Sequence, residues 1–172
     1  MNTNDRSSGL LPEDVTALLG DSDLVRKVLK AVERTLLAES LPNFVTASGS
    51  YRPQMLLSLL ACAHAMGIYG SQNVEEAIRQ RKALDYLCAG ATPDARTLRM
   101  FRRQNHVLLK QILHSLLANI WTARLPAEAT GARSYLEGRL TFWAAPLRPD
   151  WDMEAERRIR LAIMSDSISA DE

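Results

Sequence analysis

Four arginines within eight residues define the chemistry open to this chain. Arg96, Arg99 and Arg103 recur at i, i+3 and i+7, so a helix would carry them on one side, with Arg102 beside them. Leu98, Phe101 and Leu108 fall on the other side. Guanidinium groups always carry charge and present a fork of donors, which suits them to phosphate oxygens and to the edge of guanine. The helix start is well marked. Thr92 or Asp94 can accept an orphan backbone N–H, and Pro93 sits where a missing donor costs nothing. The competing reading is an ordinary solvated face whose arginines pair with Glu75 and Glu76.

The chain has 172 residues and a formal charge of +1, with 47% apolar and 24% charged residues. That length fits one domain with room for an appended arm. The near-zero net charge hides a gradient. Residues 1–50 carry five basic and seven acidic side chains, residues 51–110 nine and four, and residues 111–172 seven and nine. Positive charge is concentrated in the middle third, where a polyanion would be met. The first residues lack the apolar core of a secretory signal, and no apolar run reaches the ~20 residues of a membrane span. Cys62 and Cys88 lie in apolar helical patterns and read as buried thiols. The expectation is a cytoplasmic protein with no membrane contact.

Helical period runs through nearly every segment, and no alternating strand stands out. Helices are expected over 12–20, 21–40, 53–66, 71–80, 82–88, 94–105 and 107–121, with 41–50 as a loop. Segment 53–66 is apolar almost all round and should form the buried centre. Asn105 should break or bend the chain before 107–121. Beyond Pro126, helices are expected near 131–144 and 152–166. The fold class is all-α: a multi-helix bundle containing a helix-turn-helix-like trihelical unit, plus a helical C-terminal arm. The divisions are a flexible N-terminus at 1–10, a helical domain at 11–121 and the arm at 127–172.

The short helices 71–80, 82–88 and 94–105 compose the trihelical unit, and the third would enter the major groove of duplex DNA. Arg96 and Arg99 would then face guanine edges, Thr97 a phosphate or thymine methyl, and Arg102 and Arg103 phosphates. Arg79 and Lys82, with Arg81, would extend the positive surface. Trp143 and Trp151 are candidates for docking the arm or for a partner or dimer surface, as is the Leu-rich face of 107–121. Packing of that face on 53–66 is the plainer account. No metal site is expected: Cys62 and His64, two apart on a helix, point away from each other, and His106 and His114 lack a nearby cysteine. No cofactor is expected, since Gly67, Gly70 and Gly90 read as helix ends and not as a phosphate loop.

Residues from about Leu11 to Leu117 resemble the N-terminal, helical, DNA-binding domain of bacterial insertion-sequence transposases of the DDE type. The resemblance rests on Tyr51-Arg52-Pro53 before Met55-Leu56-Leu57, then Gly67, the Ser71 to Glu75 start, Arg79 and Leu87-Cys88-Ala89-Gly90. Pro93-Asp94, Arg96-Thr97-Leu98 and Phe101-Arg102-Arg103-Gln104-Asn105 complete it, with weaker support from Pro12-Glu13-Asp14 and Leu24-Val25-Arg26-Lys27. In that family the domain precedes an RNase H-like catalytic domain, whose three separated acidic residues bind two metal ions. Here 55 residues follow Leu117, and Asp150, Asp152, Glu154 and Glu156 form one local cluster that reads as helix capping. The resemblance therefore implies a non-catalytic, transposase-derived DNA-binding protein without the RNase H-like domain, acting as a regulator or inhibitor. The alternative is a protein–protein interaction or scaffold module using the 107–121 face and the C-terminal arm.

Overall fold

The computed structural model describes residues 11–37, 41–124 and 150–168. Seven α-helices occur among them: α1 (Asp21–Leu36), α2 (Pro53–Ala65), α3 (Ser71–Gln80), α4 (Lys82–Cys88), α5 (Ala95–Gln104), α6 (His106–Arg124) and α7 (Trp151–Ile168). A helical bundle with α2 at its centre is therefore the observed architecture, as the apolar pattern of 53–66 requires. Leu56, Leu57, Leu59, Leu60, Ala61 and Cys62 are fully buried, and each buried leucine contributes roughly 1.5–3 kcal/mol. Pro53 occupies the first turn of α2, where its missing N–H is harmless.

Around α2, helix α1 buries Leu24, Val25, Val28, Ala31, Val32 and Leu36, the stripe its spacing dictates. Helix α6 buries Leu109, Ile112, Leu113, Leu116, Leu117 and Ile120 against α1, α2 and α7. Both cysteines are buried and free. Burial pushes the Cys62 thiol up to about 12 and that of Cys88 to about 11.

Three local expectations need correction. Segment 41–50 is not a plain loop: Phe44–Thr46 (β1) and Gly49–Tyr51 (β2) form a two-stranded antiparallel hairpin, with Phe44 opposite Tyr51 and Thr46 opposite Gly49. Three-residue strands are too short for alternation to show in a sequence. The first expected helix is only a 3-10 turn, Val15–Ala17, capped by the Asp14 carboxylate on the Thr16 N–H at 2.9 Å. Helix α1 ends at Leu36, short of the expected Ser40, although 38–40 lie outside the described residues, as does the helix expected near 131–144. Asn105 does break the chain. Its backbone departs from helical geometry between α5 and α6, and both its N–H and its side-chain amide donate to the Phe101 carbonyl.

Helix α7 belongs to the core. Ala155, Arg158, Ile159, Ala162 and Asp166 are buried and recur on one side of it. Arg158 is fully buried, and its guanidinium donates to the carbonyls of Pro12 (3.0 Å), Glu13 (2.9 Å) and His64 (2.8 Å) and to Glu154 (2.8 Å). A Cβ on Gly70 would lie 2.5 Å from the Ser165 hydroxyl, so the absence of a side chain there lets α7 approach the start of α3.

His64 sits wholly inside this core. Its Nδ1 lies 3.0 Å from the Ile68 carbonyl, and its Nε2 has no partner among the described residues. Burial, reinforced by the positive charge of Arg102, lowers its pKa to about 3. The unfolded chain binds this proton near pH 6.5 and the folded one does not. Stability contributed by a neutral His64 is thus complete above pH 6.5 and declines as pH falls toward 3, at up to about 1.4 kcal/mol per pH unit. Urea denaturation from pH 7 to pH 4 is expected to show that slope, and His64→Leu is expected to lose it whatever its absolute stability. An unchanged slope in the variant would assign it to other groups.

Candidate nucleic-acid interface

The candidate interface is carried by α3, α4 and α5, three consecutive short helices in which α3 packs on both of the others. Turns separate them because the chain leaves helical geometry at Arg81, then passes through left-handed Ala89 and Gly90. Gly90 supplies that conformation as its position at the end of the 82–88 helix suggests; Ala89 shares it, at φ 50°.

Helix α5 begins with Asp94, whose carboxylate accepts from the Thr97 N–H at 2.7 Å. That hydrogen bond, with a further one from the Thr97 side chain, holds the Asp94 carboxyl below the usual aspartate range. Glu75 of α3 accepts from the Ala95 N–H at 2.8 Å. Two carboxylates therefore occupy the positive end of α5. In a helix-turn-helix this same end would enter the groove, yet its charge is unfavourable for a phosphate.

The buried side of α5 holds Thr97, Leu98, Phe101 and Arg102. Thr97 is buried, its hydroxyl bonded to Ser48 at 2.9 Å and Thr46 at 3.2 Å across the hairpin tip. Phe101 meets Phe44 edge to face with ring centroids 5.1 Å apart. The hairpin, invisible in the sequence pattern, thus packs on α5 alongside α3 and α2.

Arg102 does not lie beside the exposed arginines. It is 1% exposed, and its guanidinium donates to Asp166 at 3.0 Å and to the Ser71 hydroxyl at 2.8 Å. Arg99 is half-buried, with its Nε 3.7 Å from the same Asp166 carboxylate. Asp166 also accepts from the Ser71 N–H at 2.7 Å, so a side chain from α7 caps α3 at the place where Gly70 offers none. The reason is angular. At about 100° per residue, Arg102 is only about 40° from Leu98 and about 120° from Arg96. Thr97 and Arg102 thus face the interior and not a phosphate.

Arg96, Arg103, Arg79 and Lys82 stay at the surface. Arg79 pairs with Glu75 at 3.5 Å and Arg81 with Asp14 at 3.9 Å, both solvent-exposed and weak. Arg96, Lys82 and Arg103 form no ion pair among the described residues.

The remaining candidates fall in α6 and α7. The apolar face of 107–121 is interior, as its plainer account holds, and is not available as a partner surface. Trp151 is half-buried and packs on Trp121 at 5.9 Å between centroids; Trp143 lies outside the described residues. The acids of 150–156 cap and pair as the sequence pattern indicates. Asp150 accepts from the Asp152 and Met153 N–H groups, Asp152 pairs with Lys110, Glu154 with Arg157 and Arg158, and Glu156 with Arg160. Among the described residues, no group of three or more histidines, cysteines or acids could hold a metal ion, and no helix is long and apolar enough to cross a membrane.

A family model described as Transposase domain (DUF772) matches residues 13–104, from the segment before the 3-10 turn to the last residue of α5. No curated protein and no solved structure matches the chain.

Proposed function

Because the chain belongs to the Transposase domain (DUF772) family, we propose that it is a duplex-DNA-binding module, serving as a regulator or inhibitor without catalysis of its own. The observation that carries this reading is the solvent side of α5. Arg96 and Arg103 stand there two turns apart, exposed and in no ion pair among the described residues, while the opposite side of the helix is held in the core. Lys82 and Arg79 on the neighbouring helices add to the positive surface. Used as a helix-turn-helix-like unit, α3, α4 and α5 would lay α5 against DNA. Asp94 and Glu75 at its tip favour contact along the side of the helix over insertion end-on. The expected contacts are therefore mainly to phosphates, which position a protein without reading bases.

Polarisation titration with a random duplex pool tests this. Log affinity should fall linearly with log salt, and Arg96→Ala/Arg103→Ala should reduce the slope by about 1.8, or roughly 0.9 for each phosphate no longer neutralised. Failure to bind any duplex at low salt, or binding indifferent to both substitutions, would overturn the reading.

A further inference from the structure

Between α1 and α6 lies a cleft of about 380 Å3 lined by Arg26, Lys27, Lys30 and Arg34 from α1 and by Ser115 and Asn119 from α6. No carboxylate among the described residues lines it. We propose that this cleft is a second seat for the phosphate backbone of duplex DNA, separate from the surface on α5.

The spacing of its cations supports the assignment. Arg26, Lys30 and Arg34 recur every fourth residue, so they climb one side of α1 in steps of about 6 Å, a row roughly 12 Å long. One strand of DNA carries a charge about every 3.4 Å along the axis, so such a row spans about four phosphates. Lys27 donates to the Asn119 side chain at 2.8 Å, which fixes its ammonium at the cleft wall and leaves two further donors for a ligand. Asp23 pairs with Arg26 at 2.6 Å, and Glu33 lies at the exposed surface of the same helix outside the cleft wall. Lys30 and Arg34 form no ion pair among the described residues, so the open end of the row is the more positive.

The lining also selects among polyanions. No aromatic side chain among the described residues faces the cleft, so it offers no stacking platform of the kind that holds single strands. Its cations stand in a concave wall with a hydroxyl and a carboxamide, which suits phosphate oxygens better than a flat lipid surface, where an apolar face must bury itself. The arrangement lies on helices that the α5 reading does not use.

Two double variants in the full chain separate the two surfaces: Lys30→Ala/Arg34→Ala and Arg96→Ala/Arg103→Ala. All four side chains are exposed, and matching thermal melts show that each variant is folded. A random duplex pool is titrated across salt, with sedimentation on phosphatidylserine-containing vesicles as the second arm. The cleft variant is expected to bind duplex more weakly and to lose about 1.8 from the salt slope. If it alone weakens binding, the cleft stands and the α5 surface falls. If it binds as the unaltered chain does while the α5 variant weakens, the cleft proposal is overturned and the α5 reading stands. A wild-type chain that binds no duplex overturns both, and a cleft variant that loses only vesicle sedimentation overturns the DNA assignment.

Discussion

Replacing Asp166 by alanine is expected to destabilise the fold by about 3–5 kcal/mol, the range seen when one partner of a buried ion pair is removed. One carboxylate serves three partners: the Arg102 guanidinium, the Ser71 hydroxyl and the Ser71 N–H at the start of α3. Burial already works against the charge on Arg102, and Asp166 is the anion that offsets it. Without it, Arg102 and the nearby Arg99 face each other with no counter-charge, and the first N–H of α3 loses its acceptor. Urea denaturation of the variant gives the size of the loss. A double variant, Arg102→Met with Asp166→Leu, should recover much of it, because replacing both partners removes the buried charge instead of stranding it. A loss below about 1 kcal/mol in Asp166→Ala would mean that water reaches the site and that the pair is not a structural bond.

This network also marks the limit of what can be read in the sequence. The boundaries from α2 to α6 and the buried centre are legible there, because long apolar stripes and turn residues are local signals. Asp94 as the cap of α5 and Asn105 as a break are legible for the same reason. Arg102 is easily misassigned because a cluster of four arginines suggests one face, although its angle to Leu98 already places it inward. Nothing in the sequence links Asp166 to Ser71, 95 residues away. That hydrogen bond exists only after α7 has packed, and so does the capping of α3. The cleft on α1 escapes for a different reason. Summing charge over residues 1–50 gives a negative balance, which conceals the four cations spaced for one side of a helix within it.

Arg158 carries the other large prediction, and it decides how the C-terminal helix should be regarded. Arg158→Met keeps the length of the side chain and removes the fork, taking this donor from the carbonyls of Pro12 and Glu13 and leaving that of His64 only the Gly67 N–H at 3.3 Å. A hydrogen bond to a charged group contributes about 1.5–3 kcal/mol, and water can reach the part-buried Pro12 and Glu13 carbonyls, so a total of about 3–5 kcal/mol is expected. Arg158→Lys should rescue only a fraction. An ammonium is a compact charge on a flexible stem and cannot address carbonyls on both the segment before the 3-10 turn and the end of α2. A lysine variant as stable as the parent would show that charge alone matters there. Arg158 joins α7 to residues near the N-terminal edge of the family match, and Asp166 joins it to α3 within that match. Removing α7 should thus unfold the part of the chain that carries the candidate DNA surface. Deletion cannot separate a binding role of the C-terminal segment from its structural role. Point substitutions on its exposed side, such as Met153→Ser or Met164→Ser, leave these bonds in place and can.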